Sequence, residues 1–126
     1  MKTILQLMEA PGTLRFVDDQ RGCPTFCADL AVVVRRLAVD RRPGVYHATN
    51  QGGPVSWFEF ARDVVAAAGR DAGRVEPIST AELQPPRPAR RPANSALDNA
   101  ALRLAGLPLL PHRDDGLKRL VAQLTG

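Results

Sequence analysis

The sequence predicts an α/β domain of short strands and several amphipathic helices, and two observations carry that prediction. Runs rich in strand-forming residues occur at Thr13–Val17, Val45–Thr49 and Arg74–Ile78. Between and after them, apolar residues recur at spacings of three and four, as the buried face of a helix requires. The 126 residues, 44% of them hydrophobic, suit a single domain, residues 1–126, with enough apolar side chains to bury a core.

The elements follow in chain order. Lys2–Glu9 sets Ile4, Leu5 and Met8 on one helical face, and Pro11-Gly12 ends the run. Thr13–Val17 alternates as a strand, after which Gly22 and Pro24 argue against regular structure as far as Thr25. From Ala28 to Asp40, Leu30, Val33, Val34 and Leu37 form a stripe expected to pack in the core. Arg41-Arg42-Pro43-Gly44 is a turn, Val45–Thr49 a short strand, and Asn50–Pro54 a polar loop.

The clearest helix start is Val55–Phe60. Ser56 can accept from the amide of Glu59 while Glu59 reaches back to the amide of Ser56, and Val55 can pack on Phe60. That helix continues on Ala61, Val64, Val65 and Ala68 and stops at Gly69, and its aromatic residues are expected in the core. A strand at Arg74–Ile78 precedes Gln84–Pro92, whose prolines and arginines predict a stiff, extended, cationic crossing segment. Asp98 is the expected N-cap of a helix ending near Gly106, and Leu117, Leu120, Val121 and Leu124 mark a last amphipathic helix.

Composition excludes several classes. No apolar run approaches the length of a membrane span, so no membrane partner is expected and the protein reads as soluble and cytoplasmic. Cys23 and Cys27 are too few for a disulfide framework, and His47 and His112 stand too far apart to complete a metal site with them, so free thiols and no metal are expected. The net charge of +4, from 17 Lys and Arg against 13 Asp and Glu, is carried almost wholly by arginine. That suits nucleic acid, a small phosphorylated ligand, or simply a solvated basic face. With few aromatics and no recognised motif beside the charge, no nucleic-acid partner is expected.

Self-sufficient catalytic chemistry is missing from these residues. No glycine fingerprint for a dinucleotide or nucleoside triphosphate occurs, and four residues after the sole tyrosine, Tyr46, stands Asn50 where a Tyr-x-x-x-Lys proton donor would need lysine. No G-x-S-x-G elbow supports a nucleophilic serine. Asp18 and Asp19 can be read as an acid/base pair, but in a turn after a strand they are expected to cap backbone amides. No catalytic residue and no cofactor-binding residue is therefore assigned.

Four stretches together carry a resemblance. They are Val17-Asp18-Asp19-Gln20 with Gly22, Pro24-Thr25 and Asp29-Leu30-Ala31; Gly44-Val45-Tyr46-His47; Ser56-Trp57 with Phe60-Ala61; and Arg91-Pro92-Ala93-Asn94-Ser95 with Leu97-Asp98. Their order and spacing resemble the C-terminal part of the dTDP-4-dehydrorhamnose reductase family, extended short-chain dehydrogenases/reductases, over nearly the whole chain. The resemblance implies the substrate-binding portion of such an enzyme, with most of the NAD(P)-binding Rossmann core outside these residues. Members of the family reduce dTDP-4-dehydro-L-rhamnose with NAD(P)H to dTDP-L-rhamnose for cell-surface polysaccharide. The chain is accordingly expected to bind no cofactor by itself and to be inactive alone, as a truncated or split chain.

The same resemblance implies a dTDP-sugar ligand and, as partners, a missing N-terminal Rossmann half or a second copy of the chain. It also implies that the helix from Ala28 and the strand at Val45–Thr49 complete the Rossmann side, so an isolated chain should be marginally stable or self-associate. Within it, Arg91, fixed by Pro92, is the candidate for bidentate contact with the diphosphate, with Asn94 and Ser95 as supporting polar groups. Gln20, Pro24 and Thr25 are expected in the pocket wall, and Cys23 and Cys27 stand where the family tolerates small residues. Two alternatives stay open: Arg91 pairs with a surface carboxylate, and the chain is a non-catalytic regulatory or interaction module on this fold.

Overall fold

The computed structural model describes residues 1–125. Its centre is helix α3 (Trp57–Ala67), whose start is built as the sequence predicts: the Ser56 hydroxyl accepts from the Glu59 amide at 3.0 Å and the Glu59 carboxylate accepts from the Ser56 amide at 2.8 Å. Ala61, Val64 and Val65 on one face of this helix are fully buried. Against that face lie α1 (Lys2–Leu7), the strands β1 (Leu14–Val17) and β4 (Val75–Ile78), and α5 (Arg113–Thr125). Ile4, Met8, Phe26, Val75, Leu117 and Val121 complete the core.

β1 and β4 pair in parallel, Leu14 opposite Val75 through Val17 opposite Ile78, with α3 in the crossover between them. A parallel pair needs such a crossover, which makes this a small α/β layer. Arg74 locks its edge from below: its guanidinium donates to the carbonyls of Met8, Ala10 and Gly12, holding the turn after α1 to the start of β4.

Several expectations give way to the tertiary context. Arg21–Gly22 is not irregular but a two-residue strand, β2, antiparallel to β3 (Val55–Ser56), and Arg21 also bridges to Asn94. Gly22 is compatible because it carries no side chain, and a Cβ there would meet the Ser95 hydroxyl at 3.0 Å.

Val45–Thr49 forms no strand, because no backbone among the described residues pairs with it as a ladder. Instead the Asn99 side chain acts as a one-residue partner. Its Oδ1 accepts from the Thr49 amide at 3.0 Å and its Nδ2 donates to the Thr49 carbonyl at 2.8 Å. Gln51 then zips onto the stretch before α5, exchanging backbone hydrogen bonds with Pro111 and Arg113.

Helix α2 (Cys27–Val39) forms over the expected range, but its stripe is not core. Leu30, Val33 and Leu37 are only half-buried, and Val34 is 54% exposed. The buried position of the helix is polar, Asp29. Asp98 does not cap α4 (Ala100–Leu104): Asn99 holds the N-cap position without a side-chain hydrogen bond, and Asp98 pairs with Arg103 at 2.6 Å. The Gln84–Pro92 segment is exposed, as its composition implies, yet it bends at Gln84-Pro85 and again at Pro88-Ala89 rather than running straight.

Candidate functional site

A cleft of about 990 Å³ opens between four pieces of the chain: the loop Gln20–Phe26 with the first turn of α2, the β3–α3 junction, the Arg91–Ser95 strap, and one face of α5. Such a volume suits a ligand of nucleotide size. Of the residues singled out from sequence, Gln20, Pro24, Thr25, Arg91 and Ser95 line it, whereas Asn94 does not.

The loop is held by side-chain hydrogen bonds. Asp19 accepts from the amide of Thr80 at 2.9 Å and from its hydroxyl at 2.6 Å, so it caps a neighbouring turn rather than facing a substrate. The Thr80 hydroxyl and amide hold the Asp19 carboxyl below its usual range. Gln20, buried, donates from Nε2 to the same Thr80 hydroxyl at 2.8 Å. Thr25 donates to the Cys23 carbonyl at 3.1 Å and tightens the turn into α2. Both cysteines are free thiols, Cys23 half-buried and Cys27 exposed.

At the start of α2, Asn50 is the hub. Its Oδ1 accepts from the Phe26 amide at 2.8 Å, and its Nδ2 donates to Asp29 at 2.8 Å and to the Pro111 carbonyl at 3.0 Å. Asp29 in turn accepts from Arg119 of α5, which lines the cleft. A single buried amide thus fixes helix α2, the Thr49–Gln51 stretch and α5 to one another. Gly116 brings α5 close enough: a Cβ at that position would stand 2.3 Å from the Phe26 ring.

On the opposite wall the strap is stitched to β2. The Arg21 amide donates to the Ala93 carbonyl at 2.8 Å, and the Ser95 amide and hydroxyl both donate to the Arg21 carbonyl, at 2.9 and 3.0 Å. Asn94 turns away, its Oδ1 accepting from the Ala96 amide at 2.9 Å. Its side chain shapes the strap that presents Arg91.

The electrostatics distinguish three arginines along the cleft. Arg21 is neutralised by Glu59 at 2.8 Å and Arg119 by Asp29. The Ser56 amide is the main reason the Glu59 carboxyl lies below its usual range, with Arg21 adding to the effect. Arg91 is exposed and, among the described residues, makes no hydrogen bond or ion pair. The alternative in which it pairs with a surface carboxylate is therefore not what the fold adopts.

The remaining wall is apolar. Trp57, expected in the core, is 51% exposed and faces the cleft with Phe60. Sequence reasoning placed it in the core and overlooked Arg119, because helical periodicity places a residue on a face without saying where the core ends along that face. Asp29, the partner of Asn50, belongs to the stretch that carries the family resemblance, and an acidic residue within an apolar run is the signal of a buried pair.

The cleft and its surroundings do not suit a dinucleotide cofactor. No glycine fingerprint of the kind that cradles a pyrophosphate occurs in the sequence, and the Phe26 amide at the start of α2 is already taken by Asn50. Among the described residues no group of three or more His, Cys, Asp or Glu could hold a metal ion. No helix of the described residues is long and apolar enough to cross a membrane.

Comparison with known proteins places the chain in a family and a fold. Residues 1–125 match the family model of the RmlD substrate binding domain. A dTDP-4-dehydrorhamnose reductase of Mycobacterium tuberculosis is 42% identical over 118 residues, which cover 93% of this chain and 38% of that protein. A probable dTDP-4,6-dihydroxy-2-methyloxan-3-one 4-ketoreductase of Streptomyces antibioticus is 40% identical over 117 residues, covering 90% of this chain and 37% of that one.

Among solved structures, a dTDP-4-dehydrorhamnose reductase of Clostridium acetobutylicum superposes with a TM-score of 0.89 at 32% identity, over 99% of this chain and 43% of that one. The enzyme of Bacillus anthracis, solved in complex with NADP, superposes with a TM-score of 0.88 at 35% identity, over 97% of this chain and 42% of that one. The chain spans about two-fifths of the length of the relatives it matches.

Proposed function

The chain belongs to the RmlD substrate binding domain family, and we propose that its cleft holds the dTDP-sugar of a dTDP-4-dehydrorhamnose reductase, in the part of the enzyme that positions the sugar for reduction of its 4-keto group. The observation that carries this reading is the state of Arg91. It is the cleft arginine without a countercharge among the described residues, set on a strap that hydrogen bonds fix to β2. A diphosphate offers the pair of oxygens that a guanidinium fork binds with two charge-assisted hydrogen bonds. Gln20, Pro24, Thr25 and Ser95 then act as pocket wall, and Asn94 acts by shaping the strap.

Reduction in this family uses a nicotinamide dinucleotide, which supplies the hydride. With no glycine fingerprint in these residues and the Phe26 amide taken by Asn50, the role of this chain is binding and orientation. The dinucleotide-binding half comes either in continuity with these residues or as a separate chain. The exposed apolar side chains of α2, Val32, Val34 and Val39, together with Val45 beside the unpaired stretch, are the surface it would cover.

Calorimetric titration with dTDP tests the reading. Saturable binding is expected, weakened about tenfold or more by Arg91→Ala, the loss of one charge-assisted fork. A folded chain that takes up no dTDP at millimolar concentration contradicts it, and favours the non-catalytic interaction module that the exposed face of α2 would also serve.

A further inference from the structure

The segment that leads into the strap carries charge that contact with a diphosphate leaves unused. Gln84–Pro92 holds Arg87, Arg90 and Arg91 and no Asp or Glu. All three arginines are exposed, and none makes a hydrogen bond, ion pair or ring contact among the described residues. The carboxylates nearest in sequence are already occupied. Glu82 accepts from the amide and the hydroxyl of Ser79, both at 2.7 Å, and Asp98 pairs with Arg103 at 2.6 Å.

The segment is anchored at both ends. Before it the Asp19 carboxylate accepts from the Thr80 amide at 2.9 Å, and after it the Arg21 amide donates to the Ala93 carbonyl at 2.8 Å. Of its three arginines Arg91 lines the cleft, whereas Arg87 and Arg90 do not. Arg87 is four residues from Arg91, so the two Cα atoms stand at most about 14 Å apart even along a straight chain, and the bend at Pro88-Ala89 brings them closer. The cleft wall itself contains Arg21, Arg91 and Arg119 and no carboxylate. Uncompensated positive charge therefore flanks an opening whose own lining adds none of the opposite sign.

An exposed charge acts over about 8 Å at physiological ionic strength and over about 30 Å at about 0.01 M. That is far enough for Arg87 and Arg90 to act on an anion approaching the cleft without touching it once it is seated. A fixed potential of this kind speeds encounter, whereas escape of the seated ligand is governed by the groups in contact with it. We propose that Arg87 and Arg90 form an electrostatic guide that draws the anionic sugar nucleotide to the cleft, while Arg91 holds it there. This division of labour rests on the sugar-nucleotide reading above. The guide sets the speed of capture and not the choice of ligand, since its field acts alike on any small multiply charged phosphate ester.

Stopped-flow anisotropy of a fluorophore-labelled dTDP mixed with the full chain gives the association and dissociation rates separately. With Arg87→Gln and Arg90→Gln combined, association at about 0.01 M ionic strength should slow about threefold or more while dissociation stays unchanged. The gap from the parent chain should narrow by about 0.15 M, where screening shortens the reach of the field. Arg87→Lys with Arg90→Lys keeps the charge and changes the donor geometry, and should associate at the parent rate. Arg91→Ala should differ in kind, by faster dissociation.

Three results overturn the guide and leave the sugar-nucleotide reading standing. An unchanged association rate and salt dependence in the paired Gln variant would make the two arginines a solvated face. A loss confined to dissociation, or one that the paired Lys variant shares, would make them contacts of the ligand. Absence of any dTDP binding by calorimetry overturns both the guide and the reading it rests on.

Discussion

Asn50 shows how much one polar side chain can organise. Its amide satisfies the Phe26 amide, Asp29 and the Pro111 carbonyl at once, all at 2.8 to 3.0 Å, and it is 3% exposed. Removing it strands buried donors and acceptors, each of which costs about 1–3 kcal/mol when left unmade. Asn50→Ala should therefore lower unfolding free energy by at least about 2 kcal/mol in denaturant titration, whereas Asn94→Ala, which removes one exposed hydrogen bond, should change it far less.

Glu59 sets an acid limit. In the folded chain the Ser56 amide, and then Arg21, keep its carboxyl below the 4.5 of an unperturbed glutamate. The unfolded chain thus takes up the proton more readily, so the contribution of Glu59 is complete above about pH 4.5 and is lost as the pH falls through the lower folded value. Melting temperature measured from pH 6 down to pH 3 should fall less steeply for Glu59→Gln than for the parent chain, and equal slopes would show that this carboxylate is not among the groups responsible.

Elements divide into those that local chemistry dictates and those that depend on neighbours. The capping box made the start of α3 readable from Ser56 and Glu59 alone, and the periodicity of Ala61, Val64 and Val65 fixed its buried face. β1 and β4 were readable from their residue types, although their parallel pairing was not, since the partners lie far apart in sequence. Val45–Thr49 has strand-forming residues and no strand, because a ladder needs a second backbone and only the Asn99 side chain is at hand.

Gly116 marks another limit of local reading. Glycine inside a helix is disfavoured, and only the Phe26 ring packed against α5 explains it. Gly116→Ala should raise intrinsic helix propensity yet destabilise the fold by about 1–3 kcal/mol, because the added methyl overlaps a core ring. A more stable variant in thermal melts would show that α5 and the Phe26 loop part more easily than the packing implies.

For the molecule as a whole, the cleft was legible in part. Five of the six side chains chosen from sequence line it, because Gly22, Pro24-Thr25 and Arg91–Ser95 are the kinds of segment that shape loops. Trp57 was expected in the core, and Arg119 escaped notice, because the end of the core along a helix is set by the surrounding elements. The surface tells the complementary story: Val32, Val34 and Val39 on α2 and Val45 are between half and almost wholly exposed, an apolar area that water penalises. An isolated chain should self-associate, with a sedimentation coefficient that rises with concentration, and Val34→Ser with Val39→Ser should reduce that association. A cooperative, strictly monomeric thermal transition would contradict this view of α2.

Binding of dTDP in the cleft can be located by mapping where it perturbs backbone amide resonances of the chain. Shifts should concentrate in Gln20–Ala28, Val55–Phe60, Arg91–Ser95 and the cleft face of α5 from Gly116 to Gln123, with the outer face of α2 unchanged. Saturable shifts centred elsewhere, or none at millimolar dTDP, would contradict it.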